Sequence, residues 1–278
     1  MPLQAGEYHE LKVIRKKEAG LYLDDGAEGI LLPVRYASPT LQTGDVVKVF
    51  VYHDSEDRPI ATTLHPKGEK GEIVLLQVVD TSPYCAFMDW GLPKDLFVPK
   101  AAMKTAFRKG GSYLIQITTD PKSGRLMGTQ YFDADLQNDP LTVKEKEIVH
   151  LTVYRETDIG YVMIINHRHT GVLHHNEVYQ PLQPGDVREG YISKIRPDYT
   201  IDVRLGKPGF IRTDAEAEKI LDQLHKAGGF LPYHDKTDPA VLYEKFGMSK
   251  KAFKQAIGRL YKERKIVITP QGCRLAES

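Results

Sequence analysis

AGLYLDDGAEGILLPVRYASPTLQTGDVVKVFVYHD, residues 19–54, is the stretch whose reading decides the fold. Gly20 to Leu23 is a short apolar run that ends in the polar turn Asp24 to Ala27. A second apolar run, Gly29 to Val34, is followed by a loop with Pro39. Gly44-Asp45 then leads into Val47, Val49 and Val51, spaced two apart. Alternation marks a strand with one buried face, and clusters of Gly, Asp and Pro mark the turns between strands. Several short strands at this spacing suggest a small all-β barrel or sandwich.

Outward from this stretch the unit recurs, as repeat architectures do. Tyr84 opens YCAFMDWG, followed by Lys94 to Pro99, Gly110-Gly111 and the strand Tyr113-Ile115-Ile117. Asp158 opens DIGYVMII, followed by Thr170 to Glu177, Leu182, Gly185-Asp186 and Tyr191-Ile192. The copies share pattern more than identity. They define units over residues 1–66, 67–138 and 144–208, with a C-terminal piece over 212–278. In unit two the sequence predicts a turn or two of helix over Ala101 to Phe107, and a hairpin at Asp120 to Gly124. The run Asp133 to Pro140 is acidic and polar and reads as an exposed linker.

The C-terminal piece changes period. Asp214 is placed to cap a helix in which Ile220, Leu221 and Leu224 recur at helical spacing, and Gly228-Gly229 stops it. Pro239 opens a second helix, and Ser249 caps a third whose apolar face is Phe253, Ile257, Leu260 and Tyr261. Two short strands follow, Ile266 to Thr269 and Cys273 to Leu275. Three helices and then a hairpin is the order of a winged helix, a helix-turn-helix variant.

Charge is balanced, with 38 basic and 37 acidic residues and a net charge of +1. That argues against a wholly basic coat for duplex DNA. Placement matters more than the sum, and Lys250 to Lys265 holds seven basic residues against one acid, Glu263. No apolar run approaches the roughly 20 residues that span a membrane. The start, MPLQAGEYHE, lacks the features of a secretory signal. The two cysteines, Cys85 and Cys273, fall in different units, which fits a reducing cytoplasm without a disulfide framework.

His167, His169, His174 and His175 invite a metal reading, but their spacing is no known zinc pattern and no cysteine is near. Asp133, Asp135 and Asp139 lie in a run of the solvated kind. No nucleophile–base set, phosphate loop or metal motif stands out, so neither an enzyme nor a cofactor is expected.

Gly171, Val172, Leu173, His174 and Glu177 resemble the G-L-V-H-x-S-E segment of S1 domains, the RNA-binding type of the ribosomal protein. Gly20-Leu21-Tyr22-Leu23 and Cys85-Ala86-Phe87-Met88 resemble the strand that precedes it. Over nearly its full length the chain resembles the conserved virulence factor B family of bacteria, also called the YitL family. Phe246 to Ile266, FGMSKKAFKQAIGRLYKERKI, is the most specific part of that likeness, and Leu231 to Gly247 extends it. The resemblance implies a mostly β chain with a C-terminal α+β domain: three tandem S1-type OB-fold barrels followed by a winged helix. It also implies a cytoplasmic RNA-binding regulator acting after transcription. Tyr22 and Phe87 take the family's stacking position, and His174 its histidine position. Leu32 and Val98 are assigned that histidine's place in units one and two, and Val162 the aromatic slot in unit three.

The expected partner is therefore single-stranded RNA, with bases stacked on Tyr22 and Phe87 beside His174. Lys250, Lys251, Lys254, Arg259, Lys262 and Lys265 are expected to face phosphates. Each residue also has a plainer role to set against this: core aromatics, a satisfied histidine, a solvated helix face. Two other functions fit the same sequence. One is a regulator that reads duplex DNA through Ser249 to Arg264. The other is a scaffold on the ribosome, polymerase or RNA-processing machinery.

Overall fold

The repeat seen in the sequence folds as three five-stranded barrels. A computed structural model of the chain describes residues 3–178, 180–208 and 212–276, with 212–215 described by their backbone alone. The first C-terminal helix already runs from Arg212, so Asp214 lies inside it and is not its N-cap; the end of the turn through Gly209 lies outside the described residues. Barrel one is built from β1 (Tyr8–Lys17), β2 (Gly20–Leu23), β3 (Ile30–Pro33), β4 (Val46–His53) and β5 (Pro59–Thr62). Barrel two is built from β6 (Ile73–Thr81), β7 (Cys85–Asp89), β8 (Leu96–Pro99), β9 (Ser112–Thr119) and β10 (Leu126–Thr129). Barrel three comprises β11 (Ile148–Thr157), β12 (Gly160–Ile165), β13 (His169–His174), β14 (Val187–Ile195) and β15 (Ile201–Leu205). Barrels one and three close through a parallel bridge, Leu31 to Ile60 and Val172 to Asp202. In barrel two the same strand order is left with β8 and β10 as the ends of an open sheet.

Two backbone devices recur. β2 and β12 start at Gly20 and Gly160, where a Cβ would lie 2.1 and 2.2 Å from the carbonyl oxygens of Leu32 and Leu173. Glycine alone lets the facing strand come this near. In the first strand of every barrel a buried valine is clasped by the late glycine turn. Val13 N–H donates to Asp45 O at 2.8 Å, and Gly44 N–H donates to Val13 O at 2.8 Å. Val78 has the same pair with Gly111 and Gly110, and Val153 with Asp186 and Gly185. The register shifts directly after each of these valines. Such a bulge bends the strand, which a small closed barrel requires.

The core follows the strands. Val13, Leu23, Leu32, Val49 and Val51 fill barrel one. Phe50 and Tyr52 of β4 turn the other way and pack with Trp90 and the barrel-two residues Leu76, Met88 and Ile115. Phe50 and Trp90 meet edge-on at 5.9 Å. Ile73, Phe132 and Ile164 form a smaller cluster between barrels two and three. The three barrels belong to one compact unit and the winged helix to a second.

One sequence expectation changes in the barrels and two become more specific. Ala101 to Phe107 is not a helix: only Lys100–Ala102 makes a 3-10 turn, and Phe107 instead stacks on Tyr113 at 4.2 Å. The run 133–140 is mostly exposed, as its composition suggests, but it is also tied into the fold. Tyr154 Oη donates to Asp133 at 2.5 Å, Lys104 pairs with the same carboxylate, and Asn138 Nδ2 donates to the carbonyls of Thr170 and Tyr199, both at 2.9 Å. Its polar side chains complete hydrogen bonds of barrel three, a long-range role that local composition does not reveal. His167 and His169 are structural. Buried His169 donates from Nδ1 to Gln137 O at 2.6 Å and accepts at Nε2 from Thr142. His167 Nδ1 accepts from Ile73 N–H at 3.0 Å. Among the described residues no group of three or more His, Cys, Asp or Glu side chains is arranged to hold a metal ion.

The second unit contains α1 (Arg212–Lys226), β16 (Phe230–Leu231), α2 (Pro239–Phe246), α3 (Lys250–Lys262), β17 (Ile266–Thr269) and β18 (Gly272–Leu275). Asp238 caps α2 by accepting from Ala240 N–H, and Ser249 caps α3 by accepting from Ala252 N–H. Gly247, with φ +66°, ends α2 in the left-handed turn that favours glycine. Phe253, Ile257 and Leu260 are buried with Ile220, Leu224 and Phe246. Tyr261, placed on that face by the sequence, is exposed: its helical angle falls at the rim, where the core has ended.

Candidate nucleic-acid interface

The first three strands of each barrel carry a matched outward row. In barrel one it is Arg15, Tyr22 and Leu31. Asp80, Phe87 and Phe97 take its place in barrel two, and Arg155, Val162 and Val172 in barrel three. Strand alternation buries the flanking residues, Leu21 and Leu23 beside Tyr22 and Ala86 and Met88 beside Phe87. Tyr22 and Phe87 therefore point away from the cores, the alternative their residue type had left open.

The three rows differ in chemistry. The half-exposed Tyr22 ring has the Arg15 guanidinium 4.5 Å and the Lys17 ammonium 5.1 Å from its centroid. Arg15, Lys16 and Lys17 are exposed and have no acidic partner among the described residues. This is an aromatic plane edged with free positive charge. Phe87 and Phe97 are 37% and 41% exposed, with centroids 6.1 Å apart. They line a groove of about 790 Å³ that also takes in Trp90, Tyr131, Lys94 and Arg125. Two of its cations are already paired: Asp57 accepts from Lys94 at 2.8 Å and pairs with Arg125 at 2.9 Å. The Lys94 hydrogen bond holds the Asp57 carboxyl below its usual range. Barrel two thus offers stacking surface, with its cations Lys100, Arg108 and Lys122 exposed and in no salt bridge among the described residues.

Barrel three has no aromatic in its row. Its His174 side chain is 39% exposed and donates from Nε2 to Asp202 at 3.3 Å. Arg196 also grips Asp202 at 2.9 and 3.2 Å, and Glu177 pairs with Arg204 at 2.9 Å. The register corrects one assignment. His174 faces Gly160, Pro33 faces Gly20 and Pro99 faces Cys85. Pro33 and Pro99, rather than Leu32 and Val98, occupy the histidine's place; a slip of one residue had moved the comparison to the buried face.

The six basic residues expected to face phosphate divide into two groups. Arg259 donates to Glu263 at 2.8 Å and Lys265 pairs with it at 2.8 Å. These contacts, Lys265 first, lower the Glu263 carboxyl. Lys250 is half-buried, Lys251, Lys254 and Lys262 are exposed, and these four have no acidic partner among the described residues. The sequence reading did not pick out Phe97, Arg15 or Lys17. Their signal lies in strand pairing: each sits across from, or beside, the partner of a residue that was picked.

Comparison with known proteins agrees with this geometry. Residues 5–64 match the S1 domain family, and residues 218–275 match the CvfB-like winged helix domain family. The chain is 26% identical over 272 residues to YitL of Bacillus subtilis (strain 168), covering 95% of this chain and 91% of that protein. It is 26% identical over 251 residues to conserved virulence factor B of Staphylococcus aureus (strain USA300), covering 84% and 82%. A crystal structure of a multidomain protein with nucleic acid binding domains from Streptococcus pneumoniae is 24% identical, covers 98% of both chains and has a TM-score of 0.43. With an S1 domain match at one end and a CvfB-like winged helix match at the other, the chain is similar along most of its length to the proteins named YitL and conserved virulence factor B.

Proposed function

We propose that this protein binds single-stranded RNA with little base specificity and acts in post-transcriptional regulation. The observation that carries the reading is the outward placement of Tyr22 and Phe87 at one register position in successive barrels. An exposed ring on an OB-type barrel stacks any base, at about 1–3 kcal/mol per base. Arg15 and Lys17 beside Tyr22, and the unpaired lysines of α3, supply attraction for phosphate, which carries no sequence information. No barrel combines an outward aromatic at the Tyr22 position, free cations beside it and a histidine at the His174 position. Separate weak contacts on one chain still bind strongly, because the second contact forms at high effective concentration. No step of this reading calls for catalysis.

Fluorescence anisotropy with labelled oligo-uridine is the test, run from low to high salt beside a duplex DNA of equal length. Salt-sensitive binding that favours the single strand is expected. Absence of binding even at low ionic strength would end the reading. A duplex preference would favour the second reading, a DNA-binding regulator, which rests on the lysine face of the capped helix α3.

A further inference from the structure

Gly258 lies inside α3, a turn from Lys254 on one side and a turn from Lys262 on the other. A glycine within a helix is destabilising relative to alanine, because its backbone loses more freedom on folding. Two structural needs account for such a glycine: a positive φ, or a neighbour too close for a Cβ. Neither applies. Gly258 is not among the positive-φ residues, and a Cβ added to it meets no described atom within 4 Å. The position is open to whatever approaches from outside.

The surroundings define what could approach. At 100° per residue, Ala252, Phe253, Ala256, Ile257 and Leu260 face the core. Gly258 falls at the middle of the opposite arc, with Lys251, Lys254, Gln255 and Lys262 about it. Lys254 and Lys262 stand about 6 Å along the axis to either side. Neither they nor Lys251 has an acidic partner among the described residues. The acid that follows the helix, Glu263, is held by Arg259 and Lys265. The face is therefore a bare strip of helix backbone flanked by free ammonium groups.

We propose that Gly258 is the seat of a nucleic-acid backbone on α3. Without a Cβ, the sugar-phosphate chain lies directly against the helix, and Lys251, Lys254 and Lys262 close on its phosphates from both sides. The inference rests on the nucleic-acid reading above and adds the point of closest approach. It separates two properties that usually move together, since filling the notch improves the helix and damages the contact.

The test uses the full chain with Gly258→Ala, Gly258→Leu and, as a charge control, Lys254→Gln. Thermal unfolding and anisotropy with labelled oligo-uridine and a matched duplex DNA are read for each. Gly258→Ala should raise the unfolding temperature of the winged helix by about 4 °C. It should also weaken binding about tenfold, the loss of roughly one charge-assisted contact. Gly258→Leu should weaken binding further. Unchanged affinity in Gly258→Ala while Lys254→Gln binds less tightly overturns the seat but leaves the function standing. A lowered unfolding temperature in Gly258→Ala shows a packing role and overturns it too. If the wild-type chain binds neither probe, both proposals fall.

Discussion

Single residues in this protein separate cleanly into those that hold the barrels and those that face outward. Tyr22 and Phe87 are of the second kind, so truncating them should alter binding and leave stability nearly untouched. Tyr22→Ala and Phe87→Ala should each weaken oligo-uridine binding by about 1–3 kcal/mol, the value of a stacked base. Unfolding midpoints should stay within about 0.5 kcal/mol of wild type. A midpoint loss larger than the binding loss would place the rings in the core. His169 is the opposite case. Its ring is fully buried, with Gln137 and Thr142 as partners. His169→Ala leaves those partners unsatisfied and opens a void, at a cost of about 2–4 kcal/mol in urea unfolding. An unchanged urea midpoint would contradict this account. The four clustered histidines look alike in sequence, yet His169 is a buried strut and His174 a half-exposed donor.

Elements show why some features were legible and others were not. Helical spacing fixed the core face of α3 apart from Tyr261, whereas the apolar runs of β2 and β7 left open which of their faces is buried. Pairing was harder. Local sequence does not say that Phe97 stands opposite Phe87, or that Pro33 rather than Leu32 takes the place of His174. Register comes from turns and bulges as well as from hydrophobic pattern, and an error of one residue exchanges the faces. Charge had the same limit. The lysine-rich run was plain in sequence, but which cations Glu263 neutralises depends on geometry. On α3 the double variant Lys251→Glu/Lys254→Glu removes two free cations. If both touch single-stranded RNA, the slope of log affinity against log salt should flatten by about 1.4. A slope equal to wild type would remove those lysines from the interface.

At the scale of the whole molecule, acid stability follows from the carboxylates. The Lys104 hydrogen bond, then that of Tyr154, lowers the Asp133 carboxyl from its ordinary 3.8. Asp89 is lowered likewise by Lys67 and then by Gly91 N–H. A carboxyl depressed in the folded state stabilises it above the unfolded value, and that stability is lost as pH falls through the folded value. Burial lowers His53, which has the same sign and begins near its ordinary 6.5. Unfolding temperature should therefore decline slightly below pH 6.5 and steeply below pH 3.8. Asp133→Asn should make the lower limb shallower; an identical limb would mean that Asp133 contributes nothing there. The division into barrels and winged helix was visible in the repeat and in the change of period. Hidden from the sequence were the packed junctions between barrels, where Phe50, Trp90 and Phe132 join residues far apart in the chain.

The hold of the late glycine turn on Val13, Val78 and Val153 uses only amide and carbonyl groups. Such a fastening is indifferent to which side chains surround it. Three modules can then keep one architecture while their outer surfaces drift apart, one gaining arginine and tyrosine, another two phenylalanines, a third valines. Duplication with this kind of joint yields a set of related grips from a single ancestral shape, each free to specialise without endangering the frame.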